Sequence, residues 1–595
     1  MRQLLPYLGK YRIRLILSIL FNFLTAIFTI VSIPLVIPFF QILFGVNISE
    51  LSPPENIFDL DAGLNYYFSR LIVISDKTTA LGFMCIVLLI IVIFRNIFRY
   101  LSVYFLIPVR NGVVKDIRND LVSSYLNMPL REYRKLSKGE LLSISSHDVV
   151  EVEWSVIRMM ELLFKSPILI IGSLILMFWI NVKLSLIAIG LMLVVGIVLG
   201  GLSKNLKAKS AKTQALMALL NAKVEGIISG IKMIKSFGAA SHFEKKFSEM
   251  NDEHYKKNNQ ILRRRDLASP LSELLGVSLV VILVWYGAKM VIAYEMRPEI
   301  FFAFIFSFYN VIEPAKSLST AYYNVQKGLA SMERIQAVIN IGSKDELPSG
   351  NTPMPENWNN IKLENLCYSY EGQKVLSDIN LTIPRGKSIA IVGKSGVGKS
   401  TLLDMIMRMD DAESGSLTID NQCVNEIELM TYRENFSFLS QDPILFTGSI
   451  EENLSLGKNI ENSAILEALK EANADKFIKE KGIYTDLFGN GTNYSMGQRQ
   501  RIAIARAIAQ KRPILVIDEA TTALDAESEQ LVLSALAKAM RDKTIIMVSH
   551  RFSLIKNVDI IYVMQNGKIV NYGTHEELIS SDKIYKELLS YQTGL

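Results

Sequence analysis

Six long apolar runs lie in the first half of the chain and limit its fold more than any other feature. A helix needs about 20 consecutive apolar residues to cross a bilayer. Runs of that kind lie at 15–45, 79–109, 156–180, 184–203, 273–293 and 300–325. The sequence therefore predicts a multi-domain membrane protein whose first domain is an all-α transmembrane domain of six spans.

The basic residues indicate how these spans are oriented. Lys and Arg crowd the segments 110–138 and 204–265, whereas segment 46–78 contains only Arg70 and Lys77. The positive-inside rule then places both basic segments and both termini in the cytosol. Because topology explains the net charge of +6, nucleic-acid binding is the weaker interpretation. The three cysteines are too far apart to predict a disulfide framework or a metal site.

The polar connections suggest how the chain is divided. Spans 2 and 3, and spans 4 and 5, are joined by long polar segments of helical pattern, which we expect to form cytosolic hairpins. Residues 336–360 are rich in Pro, Asn and Gly and predict a linker. Strands and helices alternate after it, as in an α/β domain. The predicted division is a transmembrane domain at 1–335, a linker at 336–360 and an α/β nucleotide-binding domain at 361–595.

A phosphate-binding loop is the clearest chemical motif. Residues 393–400, GKSGVGKS, follow the apolar strand SIAIV and precede the helical pattern TLLDMIMRM. In this context the loop amides and the helix N-terminus bind phosphates. Lys399 is expected to reach the β- and γ-phosphates, and Ser400 to reach Mg²⁺. The motif predicts ATP and Mg²⁺ as cofactors.

Two carboxylates end a second apolar strand, ILVIDE at 514–519. Asp518 is placed to hold Mg²⁺, and Glu519 to orient or deprotonate the attacking water. The alternative is a solvent-facing acidic pair. His550 ends another apolar strand, TIIMVSH, where it could contact a γ-phosphate.

With these motifs in their order, the chain resembles an ATP-binding cassette (ABC) transporter subunit of the exporter type. The resemblance adds Gln441 in LSQDPILFTGSI, the signature region at 494–498 and the TALD sequence ending at Asp525. It implies that Tyr370 stacks on adenine, that Gln441 contacts Mg²⁺ and water, and that segments near 129–137 and 238–246 form two coupling helices. The residues it assigns to nucleotide contacts are Tyr370, Gly393, Ser395, Gly396, Gly398, Lys399, Ser400, Thr401, Ser495, Gly497, Gln498 and Asp525. Glu519, His550 and Gln441 are assigned to catalysis, and Ser400, Gln441 and Asp518 to the metal.

The signature region departs from the family pattern at one position. The family has Leu-Ser-Gly-Gly-Gln, and this chain has Met496 at the third position. Ser495 is suited to cap the following helix, which makes Met496 its first residue. A non-glycine residue with helical φ still donates its amide, so we expect Met496 to be tolerated. The stretch Phe488-Gly-Asn-Gly491 also departs, because it lacks the glutamate usual in exporters.

Three cations lie inside predicted spans at similar depth. Arg95 lies 16 residues after Thr79, Lys165 16 before Asn181, and Lys316 16 after Ile300. At 1.5 Å per residue each is about 24 Å from the outer end of its span. Such charges usually face a cavity or a partner, and a group of cations there would suit phosphates. The alternatives are snorkelling to the inner interface and local pairing with Glu161 or Glu313.

The membrane half is most similar to the lipid A/lipopolysaccharide flippase type within the exporters. Arg95, Lys165 and Lys316 fall on positions that are basic in that type, whereas Glu313 falls where a basic residue is expected. The resemblance implies an ATP-driven exporter that moves an amphipathic lipid from the inner to the outer leaflet of a bacterial inner membrane. Alternatives are an exporter of hydrophobic compounds and one half of a heterodimeric exporter. A homodimer is the preferred assembly. The external loop 46–78 could carry a short amphipathic helix.

Overall fold

The fold is known from a computed structural model. It describes residues 3–43, 77–203, 206–344, 347–370, 372–479, 482–484, 486–487, 491, 493–519, 526–549 and 551–593. Residues 46–76 of the predicted external loop 46–78 therefore lie outside the described residues. The chain divides into two compact units: one is Met1–Leu121 with Leu142–Ala337, and the other is Val122–Leu141 with Val338–Leu595.

All regular elements in the described part of the first 344 residues are helices. In chain order they are α1 (Leu5–Lys10), α2 (Arg12–Val31), α3 (Val36–Leu43), α4 (Lys77–Asn127), α5 (Leu130–Lys135), α6 (Lys138–Ser143), α7 (Val149–Met160), α8 (Ser166–Ile180), α9 (Val182–Ser203), α10 (Leu206–Ser229), α11 (Ile231–Ser236), α12 (Ala240–Ile292) and α13 (Pro298–Lys344). Two π-helical turns, Ile144–Asp148 and Glu161–Lys165, join α6, α7 and α8.

Four stretches of the described chain are long and apolar enough to cross a membrane. They are Arg12–Leu43, Thr78–Asn127, Lys138–Ile180 and Glu273–Ile292, and a shorter apolar helix covers Val182–Ile197. The predicted fold class, a helical membrane region followed by an α/β domain, is confirmed. The sixth predicted span, 300–325, is helical within α13 but does not reach the same apolar character in its described part, so the count of six stays a prediction.

Apolar packing and one tight turn hold the helical unit together. The turn at Asn181 links α8 to α9, and its side-chain oxygen accepts from the Leu184 amide at 2.9 Å. Phe28 on α2 contacts Phe98 on α4, with ring centroids 5.3 Å apart. A further cluster joins α8, α9, α12 and α13 around the buried side chains Met177, Leu184, Leu283, Phe304 and Phe308.

The short helices expected to be coupling helices differ in part from the prediction. The segment predicted near 129–137 contains α5. The second short helix is α11, at Ile231–Ser236, whereas 240–246 already belong to the long helix α12. Glycines mark both ends of α11: Gly230 precedes its first residue, and Gly238 adopts φ +60° before α12 begins. Helix α13 continues to Lys344, so residues 336–344 of the predicted linker are helical.

The second unit contains strands and shorter helices. The strands are β1 (Asn360–Tyr370), β2 (Gln373–Pro384), β3 (Ser388–Val392), β4 (Ser414–Ile419), β5 (Gln422–Cys423), β6 (Phe436–Leu439), β7 (Gly448–Ser449), β8 (Asp486–Leu487), β9 (Ile514–Asp518), β10 (Thr544–Val548), β11 (Ile560–Gln565) and β12 (Lys568–Gly573). The helices are α14 (Lys399–Ile406), α15 (Leu429–Arg433), α16 (Ile450–Ser455), α17 (Asn462–Glu471), α18 (Asp475–Lys479), α19 (Met496–Ala509), α20 (Ala526–Ala539), α21 (Phe552–Ile555), α22 (His575–Ser581) and α23 (Lys583–Thr593).

Two sheets position the site. An antiparallel sheet has the order β2-β1-β4-β5, and a six-stranded sheet has the order β12-β11-β3-β10-β9-β6. In the larger sheet, β11, β3, β10, β9 and β6 run parallel, and β12 is antiparallel. The central strands β3, β9 and β10 are almost wholly buried, as continuous apolar strands in a parallel sheet should be.

Candidate functional site

The chemical groups of the second unit gather at the carboxyl edge of the parallel strands. The phosphate loop follows β3, Asp518 and Glu519 end β9, and Gln441 comes two residues after β6. Strand β10 lies between β3 and β9, with Val548 opposite both Ile391 and Asp518. Ligand sites of open α/β sheets lie outside this edge. The motifs that are distant in sequence therefore converge where a nucleotide would bind.

The phosphate loop requires its glycines for conformation and for space. Gly396 and Gly398 adopt φ +82° and +99°, in the left-handed region. Gly393 lies against the chain so closely that a Cβ atom would come within 2.4 Å of the Met564 carbonyl oxygen. Gly398 precedes α14, so the loop and the first turn of the helix present their amides together. This arrangement suits a group of anionic oxygens.

Lys399 is buried at the beginning of α14, with 6% of its surface exposed. Its ammonium donates to the carbonyl oxygens of Gly393 and Lys394, at 2.9 and 3.0 Å. Burial lowers the pKa of Lys399, although the charges of Glu519 and Asp518 act in the opposite direction. A buried cation that lies near two carboxylates and donates to two carbonyl oxygens fits the binding of phosphate oxygens.

Asp518 and Glu519 form the acidic side of the site. Burial raises the pKa of Asp518, while a hydrogen bond from the Ser400 hydroxyl lowers it. Ser400 and Asp518, both expected at the metal, are therefore in contact. Glu519 adopts φ +46°, which is unfavourable for a side chain of this kind, and its amide donates to the Val548 carbonyl at 2.9 Å. The strand-to-loop junction thus fixes the backbone at Glu519.

The signature helix begins where the sequence predicts. Ser495 is the N-cap of α19 and Met496 is its first residue. Ser495 and Gln498 form a capping box: the Gln498 amide donates to the Ser495 hydroxyl, and the Ser495 amide to the Gln498 side chain. Met496 is half-buried, and its sulfur lies 3.3 Å from the Arg499 guanidinium. Methionine is therefore compatible with the helix start.

For the other expected site residues, the structure gives the position and the burial of the side chain. Tyr370 is half-buried at the end of β1, in the antiparallel sheet, and Gln441 is exposed. Ser395 is exposed, Thr401 is half-buried on α14, and Gly497 is buried on α19. His550, Asp525 and residues 488–490 lie outside the described residues.

One half-buried arginine on α19 was not predicted from the sequence. Arg506 on α19 donates to the carbonyl oxygens of Asn453 at 2.7 Å and Ile444 at 3.1 Å. Burial lowers its pKa to about 10. It therefore ties the signature helix to the segment that follows Gln441. An arginine inside the apolar pattern IAIARAIA is the signal that could have revealed it.

In the helical unit, two of the three cations lie at one level. The hydroxyls of Ser166 and Ser317 are 2.9 Å apart, and these residues directly follow Lys165 and Lys316. Lys165 is half-buried at the end of a π-helical turn, and Lys316 is exposed. Arg95 is half-buried on α4. No described contact joins Arg95 to the lysines, so its membership of the same group stays a prediction.

A phosphate-binding α/β unit and a unit with membrane-length apolar helices define an ATP-driven transporter. Comparison with known protein families supports the same class. Residues 16–314 match the ABC transporter transmembrane region, and residues 376–522 match the ABC transporter model. The chain belongs to the ABC transporter family and is an ATP-hydrolysing transporter.

Several similar curated proteins are named ATP-dependent lipid A-core flippase. The protein from Desulfotalea psychrophila is 33% identical over 510 residues, which is 85% of this chain and 89% of the relative. That from Vibrio vulnificus (strain CMCP6) is 30% identical over 506 residues, 84% and 86% of the two chains. That from Pseudoalteromonas translucida is 30% identical over 542 residues, 90% and 91% of the two chains.

Proposed function

We propose that the chain is an exporter that moves an amphipathic lipid, of the lipid A or phospholipid kind, from the inner to the outer leaflet of a bacterial inner membrane. The observation that carries this proposal is the Ser166–Ser317 contact, because it places Lys165 and Lys316 at one level within apolar helices. Intramembrane cations are costly and usually face a cavity or a partner. The phosphate groups of a lipid would supply that partner, and Arg95 would add a third cation.

ATP binding would use the carboxyl edge of the parallel strands. The phosphate loop and Lys399 would hold the phosphates, Tyr370 would stack on adenine, and Glu519 would orient water, with His550 near the γ-phosphate. Mg²⁺, when bound, neutralises phosphate charge; Ser400, Gln441 and Asp518 would hold it. The described residues contain no cluster of three His, Cys, Asp or Glu side chains suited to a metal. That agrees with Mg²⁺, which usually keeps phosphate and water ligands.

The proposed working form is a homodimer, with both termini in the cytosol. Two α/β units would enclose two ATP molecules, with Ser495, Gly497 and Gln498 of one copy facing the phosphate loop of the other and Asp525 beside it. The N-terminal amides of α19 are directed along the helix axis and favour an anion there. A heterodimer with a related half-transporter is the alternative.

Lipid movement in proteoliposomes tests the proposal. Fluorescent lipid A would be placed in vesicles that contain the purified chain. In vesicles whose α/β units face outward, transport removes the lipid from the outer leaflet. Dithionite quenching would measure that loss. We expect ATP-dependent protection in the wild type and none in Glu519→Gln. Lys165→Gln and Lys316→Gln should each reduce the rate, whereas Lys183→Gln, at the outer turn, should not. Movement of apolar dyes but not of lipid would favour the export of hydrophobic compounds instead.

A further inference from the structure

The face of α13 that carries Lys316 is exposed along five helical turns. Exposed side chains recur at helical spacing, at Phe302, Phe306, Tyr309, Glu313, Lys316 and Thr320. The residues between them, such as Ala303, Phe304, Phe308 and Val311, are buried against the rest of the helical unit. The stripe is aromatic toward the outer end of the helix, and Glu313 and Lys316 lie toward the inner end. It is therefore amphipathic along its length.

Glu313 is the member of this stripe that the proposed function leaves unexplained. It lies 13 residues after Ile300, about 20 Å along the helix, within an apolar core about 30 Å thick. A carboxylate at such a depth needs a positive partner or an aqueous cavity. Its neighbour at i+3 is Lys316, which is also exposed. Among the side chains that the structure describes, none forms an ion pair with Glu313 or with Lys316.

The same turn of α13 lies beside the other lysine. Ser317 Oγ is 2.9 Å from Ser166 Oγ and also donates to the Pro314 carbonyl at 2.9 Å. This contact places the turn at 313–317 against the end of the π-helical turn that contains Lys165. One carboxylate and two ammonium groups are thus gathered at a single level of the helical unit.

We infer that this level recognises a lipid headgroup that carries both a phosphate and a primary amine. The phosphate binds Lys316 and Lys165, the amine donates to the Glu313 carboxylate, and the apolar part of the lipid lies along Phe302, Phe306 and Tyr309. Charge complementarity selects this occupant, because a purely anionic headgroup would leave Glu313 beside like charge. The inference rests on the proposed lipid transport and adds the chemical class of the headgroup.

ATP hydrolysis by the full-length chain in dodecyl maltoside micelles tests the inference, because the detergent brings no charged headgroup. The probes are phosphatidylethanolamine and phosphatidylglycerol with the same acyl chains. We expect the half-maximal concentration of phosphatidylethanolamine to be about tenfold lower, as one charge-assisted hydrogen bond would give. Glu313→Gln should remove the difference, and Glu313→Lys should reverse it. Glu295→Gln, an exposed glutamate in the turn before α13, is the matched control and should keep the preference.

The outcomes separate this inference from the proposed function. If the wild type responds equally to both lipids, or if Glu313→Gln keeps the preference, the inference is wrong. A change in dimer stability without a change in lipid preference would assign Glu313 to contact with a second copy, and would also overturn it. The proposed function survives both results if lipids still stimulate and Lys316→Gln weakens that stimulation. No stimulation of the wild type by either lipid or by lipid A would overturn both.

Discussion

Arg134 Nη2 lies 2.7 Å from Asp404 Oδ2. Arg134 belongs to α5, the short helix between the long helices of the membrane half, and Asp404 lies on α14, five residues after the phosphate-loop lysine. Burial raises the pKa of Asp404, and the hydrogen bond from Arg134 lowers it. One ion pair therefore connects the candidate coupling helix α5 to α14, the helix that follows the phosphate loop.

Loss of this ion pair should lower the stimulation of ATPase activity by lipid more than it lowers the basal ATPase activity. We expect Arg134→Ala to keep basal ATPase activity while lipid stimulation falls on the order of fivefold, the size of a modest coupling energy. Thermal stability should fall by less than about 1 kcal/mol, because the arginine is partly exposed. The comparison is Arg131→Ala in the same helix, because Arg131 forms an ion pair with the neighbouring Glu132. Equal effects of the two substitutions would contradict a specific role for Arg134.

Replacing Ser495, the capping serine of the signature helix, should have two separable effects, one on stability and one on ATPase activity. Ser495→Ala and Thr574→Ala each remove a capping box, at α19 and α22, and each should cost about 1 kcal/mol of stability. Only Ser495→Ala should also lower ATPase activity, by about tenfold or more, as expected for a lost phosphate donor. Thermal unfolding and steady-state hydrolysis on both variants check this. If both variants lose activity in proportion to stability, Ser495 has no direct role.

Replacing Met496 by glycine should hardly change the rate of ATP hydrolysis. Its backbone amide is in place as the first residue of α19, so Met496→Gly retains the donor and adds only backbone freedom. We expect a stability loss under about 1 kcal/mol and ATPase activity within about twofold of wild type, a change well below 1 kcal/mol in barrier. Met496→Leu, which keeps the volume, is the control. A large gain in activity for glycine alone would show that the methionine side chain obstructs the site.

A buried arginine next to α14 should stabilise the segment that leads out of the last long helix. Arg408 is 1% exposed and donates to the Pro348 carbonyl at 2.5 Å and the Val424 carbonyl at 2.8 Å. Arg408→Met leaves both acceptors without this donor and should cost about 1–3 kcal/mol, mainly from the buried Val424 carbonyl. Arg385→Met is the comparison, since that arginine is exposed and reaches the Trp358 carbonyl only at 3.5 Å. Thermal unfolding of the two variants should differ clearly; similar curves would contradict the assignment.

Local sequence patterns predicted the features that depend on interactions between residues close together in the chain. The phosphate loop, the capped start of α19 and the acidic end of β9 each depend on neighbouring residues, and the structure has all three. The gathering of these motifs followed from the parallel order of the strands. The level shared by Lys165 and Lys316 followed from helix geometry, because equal residue counts give equal depths.

Features that depend on distant partners were not predictable in the same way. Arg134 and Asp404 are separated by 270 positions, and nothing in either segment indicates the other. Both π-helical turns have compositions that fit an α-helix equally well. The position of α11 depends on which of several glycines ends a helix. The sequence pattern of α11 is as typical of a helix as that of α12, so the pattern alone does not separate the two. The division 1–335, 336–360 and 361–595 stays a prediction, with residues 336–344 now known to be helical.

ATP hydrolysis by the single purified chain in lipid nanodiscs, with and without lipid A, tests the central claim most directly. We expect hydrolysis by this chain alone, an increase with lipid A, and loss of both in Glu519→Gln. Hydrolysis that is indifferent to lipid A would contradict lipid A as the transported lipid. No hydrolysis by the single chain would contradict the homodimer and indicate a second, different subunit.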